Sequence, residues 1–190
     1  MNIVGLLLAA GSASRFGSDK LRHLLPHGVA IAAQAARNLK AELPRVIAVI
    51  RSGEMNELFK NERCEVVLCK DAQEGMGASL ACGTRAAGPA DGYIVALADM
   101  PFIRPSSIAA VRQALEQGAA LTAPYWRARR GHPVGIAGRF YDELRALRGD
   151  EGARHILAAN EARLQRIPVG DPGVVRDIDR PEDLAPPVRV

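Results

Sequence analysis

The first half of the chain alternates between two kinds of segment. Four short apolar runs stand at residues 2–8 (NIVGLLL), 45–51 (RVIAVIR), 65–69 (EVVLC) and 92–98 (GYIVALA). Each is bounded by turn residues and too short for a buried helix, so each reads as a buried strand. Between them, residues 29–42, 54–60 and 77–87 read as helices. A strand–helix alternation of this kind leaves few architectures open. It predicts a three-layer α/β/α fold on a mostly parallel, doubly wound sheet. Hydrophobic residues are 48% of the 190-residue chain but aromatics only 4%, so the core must be aliphatic. That length suits one domain, 1–190, and no composition shift or linker divides it.

The pattern continues past Pro101. Residues 106–117 (SSIAAVRQALEQ) read as an amphipathic helix, with Pro105 at its start and Gly118 just past its end. Residues 119–125 read as a strand, and YWRARRGHPVG breaks the periodicity and reads as a loop. Two more helices are expected at 139–147 and 151–160, and closing strands at 163–169 and 174–179. The tail APPVRV is expected to fray.

Several function classes are disfavoured early. The formal charge of +4 comes from 25 basic and 21 acidic residues without a basic run interleaved with aromatics, so nucleic acid is not the expected partner. Cys64, Cys69 and Cys82 form neither a CxxC pair nor an even set, which points to reduced thiols in a cytoplasmic protein. No apolar stretch approaches the roughly 18 residues of a membrane span. The N-terminus lacks the basic region of a signal peptide.

The first strand runs into LLAAGSASRFGSDK, a glycine-rich stretch with two cations. Ligands of open α/β sheets bind beyond the carboxyl ends of strands. Glycine there lets the backbone approach a phosphate, and Arg15 and Lys20 add charge-assisted donors. The stretch therefore suits a nucleoside triphosphate. It is neither of two common phosphate loops. The G-x-G-x-x-G spacing is absent, and five residues rather than four separate Gly11 from Gly17, with Ser18 following. An idle solvated turn is the competing reading.

Further segments carry chemistry of their own. GYIVALADMP delivers Asp99 to a strand tip, where a hard carboxylate suits Mg²⁺ or merely forms the turn. EGMGASLACG places Gly75 and Gly77 before a helix bearing Ser79, which fits an anion site or a plain helix start packed on the sheet. RRGHPVG holds the densest positive charge, in Arg129, Arg130 and His132, followed by Pro133. LRGDEGARHIL brings Gly149, Asp150 and Arg154, with Asp150 read either as a ligand or as the cap of the following helix. In DIDRPEDL, Asp179 is read as a second metal ligand with Asp177 behind it, or as an N-cap.

These segments together resemble the nucleotidyltransferases with a molybdopterin nucleotidyltransferase-like fold. LAAGSASRFGSDK is similar to their L-A-A-G-x-S-x-R-[MF]-G-x-x-K signature. L-A-D-M-P resembles their metal motif, and the glycine turn, the G-H-P-V segment, L-R-G-D-E-G-A-R and D-I-D-R-P-E-D-L follow in family order from residue 6 to 184. Ala9-Ala10-Gly11, without a double glycine, resembles the cytidylyltransferase branch. The resemblance implies one antiparallel strand near the C-terminus and CTP as substrate. It implies that Leu8, Ala9, Ala10, Gly11, Ser12, Ser14, Arg15 and Lys20 hold the nucleotide, with Gly75, Gly77 and Ser79 along base and sugar. Arg15, Lys20 and Asp99 are the implied catalytic residues, and Asp99 and Asp179 the ligands of Mg²⁺. Arg129, Arg130, His132, Pro133 and Arg154 are implied at the second substrate, a phosphorylated acceptor identified with molybdopterin, and a transient molybdoenzyme or chaperone partner would follow. Arg180 replaces the family's usual threonine, and Arg22 and His23 bring unusual charge after Lys20. GTP in place of CTP, a sugar phosphate, alditol phosphate or alcohol acceptor, a non-catalytic nucleotide sensor, and a Rossmann oxidoreductase are the competing readings.

Overall fold

A computed structural model describes residues 1–11 and 20–184. Every strand and helix expected in the first half is present. The strands are β1 (Ile3–Ala9), β2 (Arg45–Ile50), β3 (Glu65–Leu68) and β4 (Gly92–Leu97), and the helices α1 (Ile31–Lys40), α2 (Asn56–Asn61) and α3 (Met76–Ala87). α4 (Pro105–Glu116), β5 (Leu121–Trp126), α5 (Tyr141–Arg145), α6 (Arg154–Ala159) and β8 (Leu164–Pro168) follow, with β6 (Arg129–Arg130) and β7 (Val134–Ala137) between β5 and α5. The eight-stranded sheet has the order β3-β2-β1-β4-β7-β5-β6, and β8 pairs with β5.

β1 runs parallel to β2 and to β4, β2 to β3, and β5 to β8. β7 lies antiparallel between β4 and β5 and is the antiparallel strand expected toward the C-terminus. Because β7 reverses twice, β5 points the same way as β4. The carboxyl ends of β1, β4, β5 and β8 therefore share one edge of the sheet.

Alternation along β1 builds two cores. Ile3, Leu7 and Ala9 face one side, with α1, α4 and Phe59 of α2; Val4, Leu6, Leu8 and Ala10 face the other, with α3, α5 and α6. Period-2 strands buried on both faces read as continuous apolar runs, which is why these segments stand out in the sequence. Among the described residues, no helix is long and apolar enough to cross a membrane.

Two segments differ from expectation. Residues 125–135 are not a loop but a hairpin arm: Tyr125 pairs with Arg130 and Trp126 with Arg129. Its turn residues, Arg127 and Ala128, both have positive φ, 47° and 65°. Two positive-φ residues match a two-residue hairpin turn, but neither is the Gly or Asn that normally announces one. Residues 174–179 form no strand. A 3-10 turn, Pro172–Val175, takes their place, and the chain then crosses the carboxyl edge of the sheet. The tail 185–190 lies outside the described residues.

Candidate active site

β2 and β3 continue the sheet from one side of β1, while β7 and β5 continue it from the far side of β4. The order thus reverses between β1 and β4, and a crevice opens there at the carboxyl edge. Ala10 and Gly11 leave β1 into this crevice. The Ala98 N–H donates to the Leu8 carbonyl at 3.0 Å, which carries Asp99 to the same place. From the C-terminal side, the Ile178 N–H donates to the Asp99 carbonyl at 2.9 Å. That single bond brings a segment 79 residues away in sequence against Asp99. One carboxylate oxygen from each of Asp99, Asp177 and Asp179 lies within 4.8 Å of the others.

Lys20 enters the same cluster. Its Nζ donates to Asp99 Oδ2 at 2.9 Å and to Asp179 Oδ1 at 3.3 Å, with the side chain only 11% exposed. Burial alone lowers the ammonium's pKa, but the Asp99 and Asp179 carboxylates outweigh it and raise the net value above the usual lysine range. The group is a cation at every working pH. Asp183 Oδ2 accepts from the main-chain N–H groups of Asp179 and Arg180, at 3.1 and 2.9 Å, and closes the 181–184 turn. The Asp179 carboxylate itself points to Lys20.

Whether these residues fit a divalent cation can be judged from their donors. Three hard carboxylate oxygens converge, and Asp99 Oδ1 is buried without a hydrogen-bond partner. A buried acceptor left without a donor is costly unless something occupies it. The donor set fits Mg²⁺ or Mn²⁺, which take oxygen ligands. His132 lies on the same edge, its main-chain N–H bonded to the Val174 carbonyl at 2.7 Å. Its Nδ1 is also buried and unpartnered, and burial lowers its pKa although the Val95 main chain and Asp99 pull it upward.

A cleft of about 560 Å³ runs from this cluster to the start of α3, lined by Gly11, Lys20 and Asp99 at one end and by Gly75 and Ser79 at the other. Leu8, Ala9 and Ala10 floor it. That volume is within the range of small-molecule sites. The start of α3 is held by close backbone contact. The Gly77 N–H donates to the Gly149 carbonyl at 2.8 Å, and Asp150 Oδ1 accepts from the Met76 N–H at 3.3 Å. Asp150 therefore caps α3 and not the helix that follows it in sequence. A Cβ at residue 77 would stand 2.5 Å from the Arg148 carbonyl oxygen, so glycine is required there by packing. Ser79, buried, donates its hydroxyl to the Gly75 carbonyl at 3.3 Å.

The expected site residues fall into three groups. The structure brings together Leu8 to Gly11, Lys20, Gly75, Ser79, Asp99, Asp177 and Asp179. Gly77 is packed behind the cleft, Pro133 is buried, His132 is half-buried, and Arg129, Arg130 and Arg154 are exposed; none of these lines it. Ser12, Ser14 and Arg15 lie outside the described residues. Arg51, Gln73, Glu74 and Met76 also line the cleft and were missed. Arg51 follows β2 directly, and the rule that ligands sit beyond strand carboxyl ends would have found it.

Fold and crevice define a nucleotide-binding α/β protein, with carboxylates and a buried lysine at the point where the strand order reverses. The chain belongs to the family described as the MobA-like NTP transferase domain, which its sequence matches over residues 5–166. It is 27% identical over 194 aligned residues to the purine catabolism protein PucB of Bacillus subtilis (strain 168), covering 95% of this chain and 93% of PucB. It is 26% identical to nicotine blue oxidoreductase of Paenarthrobacter nicotinovorans, covering 96% and 94%. In fold it is similar to Rv0371c from Mycobacterium tuberculosis H37Rv, with a TM-score of 0.82, 19% identity, and 96% and 95% of the chains covered. A manganese complex of Rv0371c superposes with a TM-score of 0.77 at 20% identity, covering 96% of each chain.

Proposed function

We propose that this protein is a metal-dependent nucleotidyltransferase that moves CMP from CTP to the phosphate of molybdenum-bearing molybdopterin, giving molybdopterin cytosine dinucleotide and pyrophosphate. The observation that carries the reading is the Lys20 ammonium shared by Asp99 and Asp179, with Lys20 and Asp99 lining the same cleft as Gly11. In the reaction an acceptor phosphate oxygen attacks the α-phosphorus, the α–β P–O bond breaks, and pyrophosphate leaves with that electron pair. The nucleophile is already an anion, so no strong base is required. What the protein must do is align two anions and stabilise charge on the leaving group.

This chain supplies those functions with few groups. Ala10, Gly11 and Lys20 meet the triphosphate together with Arg15. Gly75 and Ser79 lie along the nucleoside end, with Arg51, Gln73 and Glu74 at its rim. Asp99 and Asp179, with Asp177 beside them, hold the divalent cation, which when bound neutralises phosphate charge. Mg²⁺ is the proposed metal, and the manganese complex of Rv0371c supports a cation of this kind. Arg129, Arg130, His132 and Arg154 are assigned to the anionic acceptor. The Ala-Ala-Gly sequence favours cytidine over guanosine, and the protein is assigned to the cytoplasm, where thiols stay reduced.

The test is pyrophosphate release with CTP, GTP, ATP and UTP in Mg²⁺, with and without molybdopterin. Release with CTP only when molybdopterin is present is expected. Release that needs a sugar or alditol phosphate instead overturns the acceptor, and release with GTP overturns the base. A second reading, an oxidoreductase, is favoured by the name of one relative. It predicts NAD(P)H oxidation, whereas the absent G-x-G-x-x-G spacing argues against it.

A further inference from the structure

The carboxylate cluster is assembled from distant parts of the chain, and one buried side chain outside it ties those parts together. Asp171 is 3% exposed. Its Oδ2 accepts from the Arg104 main-chain N–H at 2.9 Å and from the Ser107 hydroxyl at 2.7 Å. Its Oδ1 accepts from the Gly173 N–H at 3.0 Å, and the Arg104 Nε stands 3.8 Å away. Arg104 is the N-cap residue of α4 and Ser107 lies in its first turn, and the Arg104 side chain itself supplies no capping bond. Asp171 therefore caps a 12-residue helix from another part of the chain, at the end where the helix dipole favours a negative charge.

The turn it anchors reaches the cluster on two sides. A Cβ on Gly173 would overlap the Phe102 carbonyl, so the turn lies directly on the loop that carries Asp99. The Val174 carbonyl accepts from His132 N–H, and Ile178 N–H donates to the Asp99 carbonyl, flanked by Asp177 and Asp179. Nothing in Asp171 itself touches the cleft. Its carboxylate joins the start of α4 to the 172–175 turn, from which the chain runs on to the 177–179 segment.

Burying an aspartate whose nearest cation, the half-exposed Arg104 guanidinium, stands 3.8 Å away is an expensive way to stabilise a turn, because an apolar filling would avoid the desolvation cost. What the carboxylate provides is direction: three donors from two elements fix one position for the segment. Resting on the metal reading above, we infer that Asp171 is a positioning residue for the divalent-cation site, setting the separation of Asp99 from Asp177 and Asp179.

The test is Mn²⁺ binding to the full chain without nucleotide, read from the free-Mn²⁺ paramagnetic resonance signal well below the melting temperature. Asp171→Asn keeps the shape and removes the charge. It is expected to weaken Mn²⁺ binding about tenfold or more, the scale seen when groups supporting metal ligands are changed. Ser107→Ala, which removes one donor, is expected to weaken it less in the same direction. Leu144→Val lowers stability from the opposite face of the sheet, where Leu144 is buried, and is expected to leave Mn²⁺ affinity unchanged. Wild-type affinity in Asp171→Asn overturns the inference, as does equal weakening in Leu144→Val. If Asp171→Asn does not fold, Ser107→Ala decides, and wild-type affinity there is the overturning result. A wild-type chain that binds no Mn²⁺ overturns the metal reading itself, a result distinct from either of these.

Discussion

The carboxylate crevice and the basic hairpin sit at the same edge of the sheet and are built in opposite ways. In the crevice each functional group is held from several directions. Asp99 is fixed through its own carbonyl by Ile178 and through Ala98 by Leu8, and Lys20 bridges it to Asp179. In the hairpin, Arg129 and Arg130 are exposed on a two-residue strand, and Arg127 rests on the Trp126 ring with its guanidinium carbon 4.7 Å from the centroid. A preorganised group acts on the transition state at little reorganisation cost, whereas an exposed ion contact, competing with water, adds a little to binding. The crevice should thus govern turnover, and the hairpin should govern only how tightly the acceptor is held.

The largest effect expected from this contrast is on Asp99. Asp99→Ala removes the central carboxylate and should lower metal-dependent turnover by at least about 10²–10³-fold, the scale for losing one preorganised charge contact. Turnover within tenfold of wild type, in a pyrophosphate-release assay with saturating Mg²⁺, would end the assignment. Lys20→Ala should cost about 10²-fold in kcat while the fold stays intact. It has a second signature. The ammonium occupies two of the carboxylates, so its removal should leave Mn²⁺ affinity unchanged or higher. Weaker Mn²⁺ binding in Lys20→Ala would show that Lys20 shapes the cluster instead of competing for it.

How much of this was legible in the sequence follows the same division. β1, β2 and β4 could be read because both of their faces are buried and their apolar runs are unbroken, and the half-buried edge strand β3 because Val66, Val67 and Leu68 keep its run apolar. Asp99 could be read because a strand delivers it to a topologically determined edge. The hairpin could not, since its turn uses Arg127 and Ala128 at positive φ where glycine or asparagine is the usual signal. Nor could the partner of Asp150, because a cap supplied from 74 residues away leaves no local pattern. Asp171 was invisible for the same reason: its donors on α4 lie 67 and 64 residues earlier in the chain.

Gly77 tests whether the far end of the cleft is as rigid as the carboxylate end. Alanine there would bring a Cβ 2.5 Å from the Arg148 carbonyl oxygen and 2.8 Å from that of Gly149. Backbone on both sides cannot yield as a side-chain tip would, so Gly77→Ala should destabilise the fold by about 1–3 kcal/mol. The displaced 148–150 segment carries the Asp150 cap with it, so nucleotide affinity should fall as well. A melting temperature and CTP affinity equal to wild type would mean that this end of the site is loose.

The smallest effect is expected at the hairpin, and it bears most directly on the contrast. Among the described residues neither Arg129 nor Arg130 has an acidic partner, so removing them leaves no carboxylate stranded. An exposed ion contact with an acceptor is worth about 0.2–1 kcal/mol. Each of Arg129→Ala and Arg130→Ala should therefore raise the acceptor KM by less than about fivefold, with kcat and the KM for CTP unchanged. High salt should shrink the difference, because the Debye length falls from about 10 Å at 0.1 M to about 3 Å at 1 M and exposed charge contacts weaken with it. A drop in kcat that salt does not erase would place these arginines with the reacting phosphates, and the hairpin would then have to close over the crevice during the reaction.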